Sequence, residues 1–459
     1  MSVRRASNDF ENPFLTRPVG RLFLANALPM AVVLSMGGVL NLVDGIFVGR
    51  LVGARALAAI SLGFPVVMVL TALATLAGGG MASLLARRLG AGQRDAAGAV
   101  FASAHGLILA MSLCLIALSA LLGPALLSSL ASGDTALARE AGHYLWILIL
   151  GSPVQLALGL HADALRNEGR AATIAGLSVV VNLLNIGANW LAIAVFGLGL
   201  AGSALGTVAA QAVGLALLLA VRLRDPALLP LRDLARFGWL RGWRPILALG
   251  LPLSLSFIGM ALVATVTILA IGSHPERAAA GIAAYGVATR LLGFAFLPQM
   301  ALALTLQSIA GHNTGAGRHD RAGLALKIAL AAGFLWCLAV SLTCGLAGAP
   351  LAALFTTDPQ VAEVTARILR PMTALYAVTG PILVCAMYFQ ALGQPGRTAL
   401  LTLLKPWILT PVLVPALNAL YGDAGIWLAF PVADACMLLL ALALLRRGQP
   451  VRRTEGDRA

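Results

Sequence analysis

"GAGQRDAAG" at residues 90–98 and "GAGRHDRAG" at residues 315–323 agree at six of nine positions, at an offset of 225. Each closes a long apolar run, so the chain repeats itself on the scale of half its length. The match extends outward in the same order. "LPM" at 28–30 pairs with "LPL" at 251–253, "ALRNEGRAA" at 164–172 with "ALGQPGRTA" at 391–399, and Gly199 and Gly202 with Gly422 and Gly425. Four anchors in one order, at offsets of 223 to 227, are more than a shared richness in alanine and glycine produces.

The runs between the anchors are long enough to cross a bilayer. Of 459 residues, 59% are apolar and 11% charged, with a mean hydropathy of +0.90, the composition of a polytopic membrane protein. A hydrocarbon core ~30 Å thick takes about 20 apolar residues per helix. Twelve runs qualify, near 22–46, 57–85, 97–122, 143–165, 172–195, 198–221, 246–272, 279–311, 322–346, 366–392, 399–420 and 424–445. The expected fold is all-α, with twelve transmembrane helices in two six-helix repeats. Six spans is an even number, so matching helices run in the same direction, the repeats are parallel, and a cleft lies between two bundles. The expected divisions are an N-terminal tail (1–21), a first lobe (22–221), a loop (222–245), a second lobe (246–445) and a C-terminal tail (446–459).

Charge supplies the orientation. With charges at span ends counted in the adjoining loop, the tails and even-numbered loops hold 24 of the 32 Lys and Arg and the odd-numbered loops hold 6, which places both termini in the cytoplasm. The polar, mixed-charge start "MSVRRASNDFENPFLTRPVG" reads as a tail rather than a cleaved signal. The net charge of +14 does not indicate nucleic acid, because no soluble basic domain exists to carry a binding face. Cys114, Cys337, Cys344, Cys385 and Cys436 sit in apolar runs without CxxC spacing, so they are expected as small buried hydrophobes rather than a zinc or disulfide frame. His105, His143 and His161 lack ligand spacing. No metal, cofactor or catalytic residue is expected, and a membrane-embedded enzyme would need clustered nucleophiles at one depth.

Few polar groups lie inside the spans. "NLVDGIFVGR" (41–50) keeps a carboxylate, Asp44, at the outer end of the first. At ~1.5 Å per residue, Asn189 and Asn185 lie about 9 and 15 Å inside the outer end of the fifth span and Thr207 about 13 Å inside that of the sixth. Asn182, Asn185 and Asn189 fall at i, i+3 and i+7, one stripe that would be costly facing lipid and must face protein or water. Two plainer roles compete: amides joining helices at ~0.6 kcal/mol each, and an aspartate capping a loop near the headgroups. Against the second, the repeat aligns Asp44 with Thr267, so the shared fold does not need a carboxylate. A carboxyl in low dielectric favours its neutral form, and hydrogen bonds to the charged form favour the other, so such a group can take up and release a proton. Oxygens of Asn and Thr beside it could instead hold sodium. In the second half, Arg290 and Asp434 lie near one depth and are expected as a charge pair, with Lys405 in the eleventh span. Asp163 and Arg166, three apart at a helix end, read as a solvated local pair.

Together "LPM", "NLVDGIFVGRLVGARALAAIS", "GAGQRDAAG", "ALRNEGR", "NIGANW" and "AYGVATR...GHNTGAG" resemble the MATE multidrug exporters, especially their DinF-like bacterial branch. The likeness runs over nearly all of residues 20–445. It implies two six-helix lobes and export of cationic or amphiphilic small organic molecules, driven by inward flow of protons or sodium ions. In that branch a cation or proton site uses an aspartate late in helix 1, two polar residues on helix 5, and a threonine with a small neighbour on helix 6. These roles would fall on Asp44, on Asn185 and Asn189, and on Thr207 with Ser203, while Pro29 would bend helix 1. Asn189 stands where that branch often has a second aspartate, which favours the proton. The two second-lobe acids of the NorM-like branch have no counterpart near Met260 or Ile382. The resemblance further implies a monomer in the bacterial inner membrane with lipids as its surroundings. A lipid-linked oligosaccharide flippase of the wider superfamily would want an arginine-lined cavity, and only Arg290 and Lys405 lie in the spans.

Overall fold

A computed structural model describes residues 12–131 and 134–448, and among these the regular structure is entirely helical. Ten helices are long and apolar enough to cross a membrane, or twelve when each of two bent pairs counts as one span. In chain order they are α1 (Val19–Leu51), α2 (Ala54–Gly90), α3 (Arg94–Leu130), α4 (Thr135–Leu150 with Ser152–Asn167), α5 (Ala171–Trp190) and α6 (Gly199–Arg224). They continue as α7 (Trp243–Gly272), α8 (Pro275–Gly315), α9 (His319–Ala353), α10 (Pro359–Met372 with Thr379–Ala391), α11 (Pro395–Leu404 with Thr410–Tyr421) and α12 (Asp423–Gly448). Each of the twelve expected runs falls on one of them.

Residues 1–11 and 449–459, most of the two expected tails, lie outside the described residues. The remainder of the first tail is more than a solvated strand. Asn12 caps a short helix, Pro13–Thr16, by accepting from Phe14 N–H at 3.0 Å, and Phe14 is buried with its ring stacked 4.2 Å from that of His312.

The repeat is written in the backbone. Glycines with positive φ, which only glycine adopts without strain, recur as Gly92 and Gly317 (71° and 72°), Gly169 and Gly393 (81° and 77°), and Gly199 and Gly422 (56° and 62°). The middle pair corrects the letter alignment, which set Gly169 against Gly396. Helices before the turn end at Asn167 and Ala391 and those after it begin at Ala171 and Pro395, all at an offset of 224, so matching letters there sit three residues out of register.

Two features left no mark in composition. α4 bends by 46° between Leu150 and Ser152, and α10 bends by 58° between Met372 and Tyr376. A π-turn follows α5 at Leu191–Val195 and another joins the two parts of α11 at Lys405–Leu409, each inserting a residue into the hydrogen-bond ladder. α4 starts at Asp134, whose carboxylate accepts from Ala136 and Leu137 N–H and pairs with Arg55 at 2.8 Å. The Leu137 N–H chiefly holds this exposed carboxyl below its usual range, with Arg55 adding to it.

The chain forms two compact units, one of Met1–Ile258, Phe296–Ile328 and Gln390–Gln394 and the other of Gly259–Ala295, Ala329–Phe389 and Pro395–Ala459. The division does not follow the expected boundary at 222–245. α8 is 41 residues long, about 61 Å, and its last turns join the first unit through glycines: a Cβ at Gly90 would strike His312, and one at Gly315 would strike Arg87. Within the first unit, Met81, Leu85, Phe101, Leu107, Leu156 and Ile246 belong to one core cluster. Within the second, Tyr285, Ile368, Leu369, Val414, Ile426 and Trp427 do so.

Candidate functional site

Helices α1, α5 and α6 of the first unit bring four of the expected residues into one hydrogen-bonded chain. The Asn189 amide donates to Asp44 Oδ1 at 2.8 Å and to Asn185 Oδ1 at 3.1 Å, and the Asn185 amide donates to Thr207 Oγ1 at 3.1 Å. Asn185 and Asn189 are nearly inaccessible, at 2% and 1% exposure, and Asp44 is half-buried. Among the described residues no cation pairs with Asp44, so its charge is met by neutral groups alone. Tyr144 of α4, which the sequence did not single out, packs against the core cluster that holds Val48, one turn beyond Asp44 on α1.

Other expected members are placed less directly. Ser203 is buried one turn before Thr207 on α6, but the chain of hydrogen bonds runs through the other four. Asn182 shares the stripe and is buried, yet its Nδ2 has no partner, and neither has Asn189 Oδ1. Pro29 lies within α1, 15 residues before Asp44 and so about 22 Å along the helix.

Small residues on α6 make the arrangement fit. Gly202, Gly206, Ala210 and Gly214 recur every fourth residue, which lets two helix backbones approach closely. A Cβ on Gly206 would strike Asn189 Oδ1 and come within 3.0 Å of the Ala188 carbonyl carbon. The spacing GSALG was visible in the sequence, but its target was not. Gly206→Ala is therefore expected to cost about 1–3 kcal/mol and to displace Asn189. A thermal melt in detergent checks the first effect, and an unchanged melting temperature would show that α5 can give way.

The second half does without this chemistry. With offsets of 223 and 224 from the turn glycines, Asp44, Asn185, Asn189, Ser203 and Thr207 map to Thr267, Leu409, Leu413, Ile426 and Phe430. Thr267 is fully buried and satisfies its hydroxyl on the Val263 carbonyl at 2.7 Å. Ile426, Leu413 and Phe430 belong to the apolar core of the second unit.

Three readings need correction. Asp434 is buried and bound by Lys405, not by Arg290, which is exposed. Counting residues along a straight helix put Arg290 and Asp434 at one depth, but shared depth does not fix the face on which each lies. Arg166 is 1% exposed rather than solvated. It meets Asp163 at 2.9 Å and Gln307 Oε1 at 3.4 Å, leaving Nε and Nη1 without partners. Gln307 in turn donates to Gln390 Oε1 at 2.7 Å. Finally, Cys114 and Cys436 are exposed while the other three cysteines are buried. The histidines hold a further surprise. His105 and His161, 56 residues apart, face each other across 3.2 Å between Nε2 atoms. Among the described residues no three metal-binding side chains gather.

The model of the MatE family matches residues 29–191 and 252–414, two equal stretches offset by the repeat. A FAD transporter of Shewanella oneidensis is 27% identical over 456 residues, covering 96% of this chain and 98% of that one. The multidrug export protein MepA of Staphylococcus aureus is 24% identical over 440 residues, 94% of each. An outward-facing multidrug resistance MATE family transporter of the MOP superfamily superposes with a TM-score of 0.87 at 24% identity, over 95% of this chain and 97% of that one, a likeness of fold. With both halves and well over half of its residues matched, the chain belongs to the MatE family of membrane transporters.

Proposed function

We propose that the protein is a secondary active exporter, an antiporter that moves small cationic or amphiphilic organic molecules out of the cell as protons flow inward through Asp44. The observation that carries this reading is the contrast between halves. A carboxylate without a cation lies among three neutral polar side chains in one repeat, where the other repeat has an apolar core. Such a group is stable in two states, neutral when dry and charged when hydrated, and its proton can bias α1, which carries Pro29, toward one of two conformations. The names of the relatives, a FAD transporter and a multidrug export protein, support export of small molecules. The protein would act as a monomer in the inner membrane, its two six-helix lobes alternating access and both termini cytoplasmic.

Sodium is a second reading, favoured by the unpartnered Asn189 Oδ1 beside Asp44, since a hard cation seeks several oxygens. Purified protein in liposomes, given a pH gradient and a sodium gradient separately, distinguishes the two. Ethidium movement is expected with the pH gradient alone. Movement driven by sodium with pH clamped would replace the proton, and movement under neither would remove the antiporter reading.

A further inference from the structure

Arg290 lies 15 residues into α8, about 22 Å from its start. It is exposed, and among the described residues it has neither hydrogen bond nor ion pair. The natural counter-charge is taken: Asp434, among the described residues the one acid of the second unit more than two turns from a helix end, is buried against Lys405. An intramembrane guanidinium left in this way must face water or a ligand.

Its own helix face agrees. Ile282, Ala283, Thr289, Gly293 and Phe294 are exposed with it, and a Cβ on Gly286 or Gly293 would meet nothing within 4 Å. Thr289 turns its hydroxyl back to the Gly286 carbonyl at 3.0 Å, which leaves Arg290 the only charge on offer. The exposed face of α3 is different in kind, with Leu109, Leu113, Leu118, Leu121, Leu122 and Leu126, as a lipid-facing surface should be. Around Arg290 the exposed positions are instead mostly small, Ala283, Thr289 and Gly293, with Ile282 and Phe294 the two large apolar ones, a surface that leaves room for a ligand beside the guanidinium.

We infer that Arg290 is an anion-binding residue for transported substrate, taking the phosphate or carboxylate of an amphiphilic anion whose ring system packs near Phe294. The planar guanidinium suits such a group because it can donate two parallel hydrogen bonds. This inference rests on the transport reading and narrows its substrate class.

The test compares two probes with one ring system, flavin adenine dinucleotide, which carries a pyrophosphate, and riboflavin, which is neutral. Binding is measured to the full-length protein in phosphatidylcholine vesicles. Wild type is expected to prefer the dinucleotide by at least about tenfold, ~1.4 kcal/mol, and Arg290→Gln is expected to erase the preference at an unchanged melting temperature. No preference in wild type, or one that survives Arg290→Gln, overturns the inference. So does a preference lost when a third of the lipid is phosphatidylglycerol, because the arginine would then belong to a lipid headgroup. Wild-type ethidium efflux, run in parallel, reports separately on the transport reading.

Discussion

Asp44→Asn is expected to lower gradient-driven ethidium efflux by about 5- to 150-fold, the span that coupling free energies of ~1–3 kcal/mol allow. The replacement keeps the size of the side chain and can still accept the bond that Asn189 donates at 2.8 Å. What disappears is the only group in the cluster that can change charge. Stability should move the opposite way to transport, because a half-buried carboxylate without a cation costs more than the amide that replaces it. The variant should therefore melt no lower than wild type. Efflux at the wild-type rate, with proton coupling intact in liposomes, would remove Asp44 from the mechanism. A variant that melts markedly lower would make the aspartate a structural cap.

Arg222→Ala should cost about 3–5 kcal/mol, the range for removing one partner of a buried ion pair. Arg222, at the end of α6, binds both carboxylate oxygens of Glu168 at 2.9 Å and the Leu229 carbonyl at 2.9 Å. Its side chain is 0% exposed and that of Glu168 is 4% exposed, so solvent screens little of the pair. Leu229 N–H also donates to Glu168 Oε1 at 2.6 Å, which ties the long loop after α6 to the turn after α4. Burial pushes the Glu168 carboxyl upward in pKa while the Arg222 guanidinium draws it down. Without Arg222 the upward push is opposed only by the Leu229 N–H and the charge of Arg94, and the double variant with Glu168→Gln should recover part of the loss. Thermal unfolding of the two variants decides. A single variant as stable as wild type would mean that water reaches Glu168.

The twelve spans and the repeat were legible in the sequence because lipid imposes length and apolarity on every crossing, and left-handed turns impose glycine. The polar chain was legible for a related reason. Asn185 and Asn189 stand out among Leu, Val and Ile, and it was the family resemblance, with depth as a separate check, that joined Thr207 and Asp44 to them. Where geometry depended on which way a helix faces, sequence reasoning fell short. Lys405 rather than Arg290 reaches Asp434, and a π-turn begins at that lysine. Bends in α4 and α10 change no residue type. His105 and His161 meet only through tertiary packing, and Arg166 is buried by Gln307, a residue 141 positions away. Asn182 was legible as part of the stripe but not as the member left unbonded.

The apolar core that fills the second repeat at the places of Asn189, Ser203 and Thr207 also bounds what the proposed exporter can achieve. On the proposed route, in which Asp44 is the carboxylate without a cation while Asp434 of the other copy is held by Lys405, one proton would move per cycle. Each 100 mV of proton-motive force then supplies ~2.3 kcal/mol per turnover, which holds a neutral substrate at an outside-to-inside ratio of roughly fifty and no higher. On that proposal stoichiometry, and with it the steepest gradient the cell can maintain, would be set by Leu413, Ile426 and Phe430 of the second half as much as by the aspartate of the first.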